Sequence, residues 1–162
     1  MQFFTSFVLS AMHDIIAVCA DASNPTPPRS ALNDWAQTTV SGLLQATSVA
    51  ALTTASDAFF ADDVSIVLNG KVFTVAEYNA QRLGLGFNGT TTVKISAGLE
   101  VPTVANSSLA GEVALFFNVQ VMGIPDVAST MNLIIRPDPF VSGPDTRRVY
   151  SLDQVATLQI QT

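Results

Sequence analysis

Asp57 is the residue whose type and position in this chain best suit acid–base chemistry. It lies near the end of the second predicted helix, one turn before Phe60. There it could face a pocket and act as a general base with a pKa raised by burial. The alternative is a solvated acid near a helix end. We take Asp57 as the candidate catalytic residue.

A predicted strand carries polar amides between large apolar side chains. Asn118 and Gln120 share one face of this strand with Phe116 and Met122, because alternate strand residues point to the same side. Such a face suits a concave wall that offers hydrogen bonds amid apolar surface. The alternative is a sheet face that packs on a second subunit.

Two large amphipathic aromatic residues, Trp35 and Tyr150, could bound a cavity. Trp35 also lies on the apolar stripe of the first predicted helix, so core packing is its alternative role. Arg147 and Arg148 are adjacent on a predicted strand and point to opposite faces, which argues against a shared anion clamp. The predicted ligand-binding residues are Trp35, Phe60, Phe116, Asn118, Gln120, Tyr150 and Asp153.

Histidine and cysteine are almost absent from the chain. Cys19 is the only cysteine and His13 the only histidine, whereas zinc, copper and non-haem iron sites draw on several such ligands. The acidic pair Asp62 and Asp63 directly precedes a strand and is typical of a turn. The sequence therefore predicts no metal site and no cofactor, and disfavours a Ser-His-Asp or Cys-His arrangement.

The charge of the chain excludes two classes of partner. Thirteen acidic residues against seven basic ones leave a net charge of −6, and the basic residues are scattered rather than arranged in a stripe. Nucleic-acid binding needs such a stripe to displace counterions from phosphates. We predict no nucleic-acid partner and no anionic membrane partner.

The 162 residues, 48% of them hydrophobic, are enough for one domain with its own core. Residues 1–29 form an N-terminal segment, in which an apolar stretch resembling a secretory signal precedes a proline-rich linker. The sequons at Asn88 and Asn106 would suit a secreted, glycosylated protein. Secretion and an intracellular location are equally compatible with these features. Residues 30–162 are predicted to be a single domain.

The stretch from Asp57 to Leu83 contains the clearest local signals. A strand ends at Asn69-Gly70, a pair typical of a tight hairpin turn, and a second short strand follows. Thr74, followed three residues later by Glu77, forms a capping box that predicts a helix start. This stretch therefore predicts a helix end, a hairpin and a new helix in succession.

The rest of the chain places helices first and strands last. Apolar residues at helical spacing predict a helix from Ser30 to about Thr47 and a second one directly after it. After Gly89 the pattern alternates with a period of two, which predicts four antiparallel strands. The expected fold class is α+β, with three helices packed on a strongly curved, mixed or antiparallel sheet.

This order of elements over residues 30–160 resembles the cone-shaped fold named after nuclear transport factor 2 (NTF2), which includes SnoaL-like and ketosteroid-isomerase-like proteins. The strongest similarity is in the stretch from Asp57 to Leu83. The closing stretch from Arg147 to Ala156 resembles the last strand of small, uncharacterised fungal members. The architecture hosts isomerases, dehydratases, cyclases and binding modules, so the resemblance implies a fold rather than an activity.

Few catalytic residues carry over from that resemblance. Scytalone dehydratases use a pair of histidines, and this chain has none after position 13. Ketosteroid isomerases combine an aspartate base with a tyrosine and a protonated aspartate, while the tyrosines here are Tyr78 and Tyr150. Polyketide cyclases of this fold use an acidic residue, and the resemblance leaves Asp57 and Asp153 as the acids that could face the cone.

We therefore predict a domain that binds a small apolar ligand, self-associates through its sheet, or does both. The alternative is a cyclase-, isomerase- or dehydratase-type enzyme with one buried carboxylate as general acid or base. A homodimer is expected because both faces of the strand from Val113 to Met122 carry large apolar side chains and one helical layer covers only one face.

Overall fold

A computed structural model describes residues 31–84, 91–103, 109–121 and 125–159. The N-terminal segment and both sequons lie outside these ranges. The elements are α1 (Ala31–Leu44), α2 (Val49–Phe59), β1 (Phe60–Leu68), β2 (Lys71–Phe73), α3 (Val75–Gly84), β3 (Thr91–Pro102), β4 (Gly111–Val121), β5 (Val127–Pro137) and β6 (Arg147–Leu158). The predicted α+β class, with three helices in the described ranges packed on one mixed sheet, is confirmed.

The six strands form a single sheet in the order β2-β1-β6-β5-β4-β3. Strands β3 to β6 make the predicted antiparallel meander. Strand β1 pairs with β6 in parallel, which is possible because the helix α3 and four further strands intervene between them. Register shifts interrupt three of the ladders, and such bulges bend and twist a strand.

The predicted hairpin and capping box are both present. Asn69 and Gly70 have φ values of 51° and 76°, the left-handed pair that a tight hairpin turn requires. The backbone N–H of Thr74 donates to Glu77 Oε2 over 2.8 Å, and the N–H of Glu77 donates to Thr74 Oγ1 over 3.2 Å. The first turn of α3 is thereby fixed directly after the hairpin.

Helix α1 ends at Leu44, earlier than the predicted Thr47. Ser48 caps α2 by accepting a hydrogen bond from the N–H of Ala51, and its own backbone is extended. An N-cap residue needs this non-helical backbone, so the residues between the two helices leave the helical conformation.

The core lies between the helices and one face of the sheet. On β4, Val113, Leu115, Phe117 and Val119 are buried and belong to the same apolar cluster as the helix residues Leu32, Val40, Leu52 and Phe59. The alternate residues of β4 point away from this cluster. We call the side of β3 to β6 that carries them the open face, because no helix of the described part of the chain covers it.

Candidate functional site

A cavity of about 130 Å³ lies between α3 and the sheet, where β4 ends and β5 begins. We call it the α3 cavity. It is partly open to solvent, and most of its lining surface is apolar. Its lining residues are Leu68, Tyr78, Gln81, Arg82, Val119, Val121, Val127, Ser129, Gln154 and Ala156.

A chain of hydrogen bonds connects α3 to the sheet along one wall of this cavity. The hydroxyl of Tyr78 donates to Gln154 Oε1 over 2.9 Å. Gln154 Nε2 donates to Ser129 Oγ over 2.8 Å, and the Ser129 hydroxyl donates to the carbonyl of Val155 over 3.1 Å. Burial raises the pKa of Tyr78 to about 12. The phenol therefore stays protonated near neutral pH and acts as a hydrogen-bond donor.

Arg82 lies one helical turn after Tyr78 and also lines the cavity. Its Nη2 donates to the carbonyl of Leu44, the last residue of α1, over 2.8 Å. Its Nε is buried without an acceptor, and no ion pair to Arg82 exists in the part of the chain that the structure describes. Burial lowers the pKa of this guanidinium, while Tyr78 partly opposes the shift.

Asp57, the predicted catalytic residue, is exposed on α2. The buried residues of that helix are Leu52, Ser56 and Phe59, and Asp57 is out of phase with them. It does not line the α3 cavity. Asp57 therefore does not occupy the buried position that the enzyme alternative requires of its carboxylate.

Four predicted ligand-binding residues lie on the open face. Phe116, Asn118 and Gln120 alternate with the buried residues of β4, and Asp153 is exposed on β6. These residues lie on the side of β4 opposite the buried residues that pack against the helices. Gln120 Nε2 donates to Asp126 Oδ2 over 2.8 Å.

The three remaining predicted residues, all aromatic, occupy separate places. Phe60 is buried and packs edge-on against Tyr78, with ring centroids 5.9 Å apart. Trp35 stacks on Phe59, and the Arg147 guanidinium lies 5.2 Å from its ring centroid. Tyr150 lies 5.7 Å below the guanidinium of Arg136. Phe60 alone of the predicted set touches a lining residue through its ring.

Sequence reasoning missed Tyr78, Arg82, Ser129 and Gln154 as site residues. Two signals in the sequence could have identified three of these residues, Tyr78, Arg82 and Gln154. Tyr78 and Arg82 are four residues apart on α3, and such a pair shares one helix face. Gln154 is in phase with the buried Leu152 on β6, so its amide points inward with the core residues.

The described helices include none that is long and apolar enough to cross a membrane. Among residues 31–84, 91–103, 109–121 and 125–159, no cluster of three or more His, Cys, Asp or Glu side chains is placed to hold a metal ion.

Solved structures show the relationship of this architecture to known proteins, although neither a protein-family model nor a curated protein sequence matches the chain. An NTF-2 like protein of unknown function from Pseudomonas aeruginosa is 13% identical with a TM-score of 0.57, over 76% of this chain and 94% of that one. A conserved protein from Planctomyces limnophilus has a TM-score of 0.54 at 13% identity, over 76% and 94%.

Nuclear transport factor 2 from Cryptosporidium parvum is 12% identical with a TM-score of 0.53, over 84% of this chain and 98% of that one. These identities are too low to transfer an activity. The three helices, the mixed sheet and these likenesses together establish that the chain has the NTF2-like fold.

Proposed function

We propose that this domain binds a compact, mainly apolar small molecule in the α3 cavity. The observation that supports this most directly is a partly open apolar cavity with hydrogen-bonding groups fixed on its wall. Ligand sites commonly combine apolar walls with a few placed polar groups in this way. The ligand would contact Val119, Val121 and Val127 with its apolar body.

The volume of the cavity limits the ligand to about the size of one aromatic ring. The cavity measures about 130 Å³, below the roughly 300 Å³ at which typical ligand sites begin. An engineered apolar cavity of about 150 Å³ is large enough to bind benzene. A steroid-sized or polyketide-sized ligand would require the walls to move apart.

Binding is favoured over catalysis by the chemistry of the lining. None of the described lining residues is a carboxylate or a histidine. Tyr78 stays protonated because its pKa is about 12, and an arginine cannot act as a general base near neutral pH. The lining therefore offers hydrogen-bond donors and apolar contact rather than a proton acceptor for the enzyme alternative.

A cavity-filling substitution tests the ligand-binding proposal. In Ala156→Leu the larger side chain should occupy the cavity and abolish binding of a one-ring probe such as benzamide, measured by NMR titration. Ala128→Leu makes the same change on the open face and should leave binding intact. Equal affinity in both variants would reject the α3 cavity as the binding site.

We also propose that the chain forms a homodimer through the open face. Leu99 is 64% exposed, Val101 is 68% exposed and Phe116 is 40% exposed. Phe116 pairs with Thr130, which pairs with the exposed Val155, so this face carries exposed apolar side chains on β3, β4 and β6. Apolar surface of this kind is typical of protein interaction sites.

A substitution that tests this dimer must lie on the open face rather than on the buried face of β4. Val119 is buried against the helices, so Val119→Glu would disturb the core rather than an interface. Phe116→Asp should reduce the mass measured by light scattering from twice the chain mass of 17.1 kDa to that mass. Phe140→Asp, at a fully exposed loop residue, should leave the dimer intact. A wild-type mass of 17.1 kDa at micromolar concentration would contradict the dimer.

A further inference from the structure

Arg82 carries a positive charge into a largely apolar wall, and none of the described residues forms an ion pair with it. Among residues 31–84, 91–103, 109–121 and 125–159, its guanidinium makes one hydrogen bond, to the carbonyl of Leu44, and its buried Nε has no acceptor. Removing a cation from water is costly unless an anion or several acceptors replace the lost hydration. The described residues therefore compensate this cation poorly.

Capping of α1 explains only part of this arrangement. The carbonyl of Leu44 is at the C-terminal end of α1, where a cation interacts favourably with the helix dipole. That contact uses one N–H group of the five that a guanidinium carries. Arg82 also lines the α3 cavity. A side chain that served only to cap α1 would not need to do so.

The neighbouring donors are already committed to partners. The Tyr78 hydroxyl is bonded to Gln154, and the Gln154 amide is bonded to Ser129. Gln154 keeps one further amide N–H, but among the polar groups of the lining Arg82 has the most N–H groups without an acceptor and is the one that carries a charge. Guanidinium groups bind carboxylates especially well, because the two planar groups match each other's geometry.

We propose that the ligand of the α3 cavity is a compact organic anion, with an apolar body of about one ring and a carboxylate that pairs with Arg82. This inference rests on the proposed ligand-binding function and specifies the chemical class of the ligand. The apolar body lies against Val119, Val121 and Val127, and the carboxylate meets the guanidinium on the α3 side. The net charge of −6 gives an anion no long-range attraction, so selection depends on this local contact.

A matched pair of probes tests the inference in the wild-type chain. Benzoate and benzamide have nearly the same shape and differ in charge. At pH 7, titration followed by calorimetry or NMR should give benzoate at least about tenfold tighter binding, because a charge-assisted pair is stronger than a neutral hydrogen bond. This comparison needs no substitution and cannot be confused with misfolding.

Two arginine variants locate the contact. Arg82→Gln should reduce the benzoate-to-benzamide affinity ratio to about one, whereas Arg136→Gln, at an exposed residue on β5, should leave the ratio unchanged. Arg82→Lys keeps the charge and should retain part of the preference. A preference that survives Arg82→Gln would overturn the assignment to Arg82.

The remaining outcomes separate the two proposals. Equal binding of both probes in the wild type, lost in Ala156→Leu, would overturn the anionic ligand and leave the binding function standing. Binding of neither probe would overturn both.

Discussion

Replacing Tyr78 with phenylalanine should test the hydrogen-bonded chain that connects α3 to the sheet. The substitution removes one hydroxyl and keeps the ring that packs against Phe60. Gln154 Oε1 then loses the donor that lies 2.9 Å away. Because the Gln154 side chain is buried, with only 7% of the residue exposed, the oxygen cannot simply turn to bulk water.

The structure sets the size of the expected effect. A buried acceptor left without a donor costs about 1–3 kcal/mol. The adjoining cavity of about 130 Å³ has room for water, and a water molecule could partly replace the lost donor. We therefore expect a loss of about 1–2 kcal/mol in the free energy of unfolding. The melting temperature should fall by about 3–6 °C for a chain of this size.

Urea denaturation provides the assay, with Tyr150→Phe as the matched control. Tyr150 makes no hydrogen bond through its hydroxyl in the described part of the chain, so this control should change stability by less than about 0.5 kcal/mol. The midpoint should shift for Tyr78→Phe while the slope of the transition stays constant. Adding Gln154→Leu should cost less than the two single losses together, because the partners are coupled. A change below about 0.5 kcal/mol for Tyr78→Phe, or strict additivity of the pair, would refute this reasoning.

Three further predictions follow from single residues. Burial raises the pKa of Tyr78 to about 12, so near pH 10 the unfolded chain loses the phenol proton while the folded chain keeps it. The free energy of unfolding should therefore fall by roughly 2–3 kcal/mol between pH 10 and 12, measured by urea denaturation. Tyr78→Phe should not show this pH-dependent loss. Gly42→Ala should stabilise α1 by roughly 0.5–1 kcal/mol, since nothing lies within 4 Å of the added Cβ. Gly111→Ala should destabilise the fold, since its Cβ would lie 2.6 Å from the carbonyl oxygen of Val101. Thermal melts should show a higher melting temperature for the first variant and a lower one for the second. Arg82→Met should change the free energy of unfolding by less than about 1 kcal/mol, because relief of an uncompensated buried cation offsets the lost bond to Leu44. A loss above about 2 kcal/mol in Arg82→Met would show that the guanidinium makes a net contribution to stability and would contradict the uncompensated cation.

Local signals in the sequence were sufficient to predict most elements of the fold. Asn69-Gly70 and the Thr74–Glu77 capping box act through their own backbone within a few residues, so their meaning does not depend on distant contacts. The period-two pattern after Gly89 likewise predicted the antiparallel strands β3 to β6. The parallel pairing of β1 with β6 joins residues far apart in the chain, and no local pattern encodes it.

The face of β4 that the helices cover was not decided by its pattern alone. Both faces carry apolar side chains, and a period of two separates the faces without saying which is covered. The structure buries Val113, Leu115, Phe117 and Val119, and leaves Phe116 and the amides outside. The apolar residues Leu52 and Phe59 mark the buried side of α2 in the sequence itself. The helical repeat counted from them places Asp57 outside that side.

The polar side chains of α3 also explain why a cavity persists in a domain with so apolar a core. Protein interiors normally close around voids until they reach crystal-like packing. Here the Tyr78 hydroxyl is fixed to Gln154 on β6 and the Arg82 guanidinium to the end of α1. Moving α3 closer to Val119 and Val127 would strain or break these bonds and leave buried polar atoms unpaired, which is costly. The groups that could recognise a ligand therefore also hold its site open, and this dual role requires tertiary contacts that no single stretch of the sequence contains.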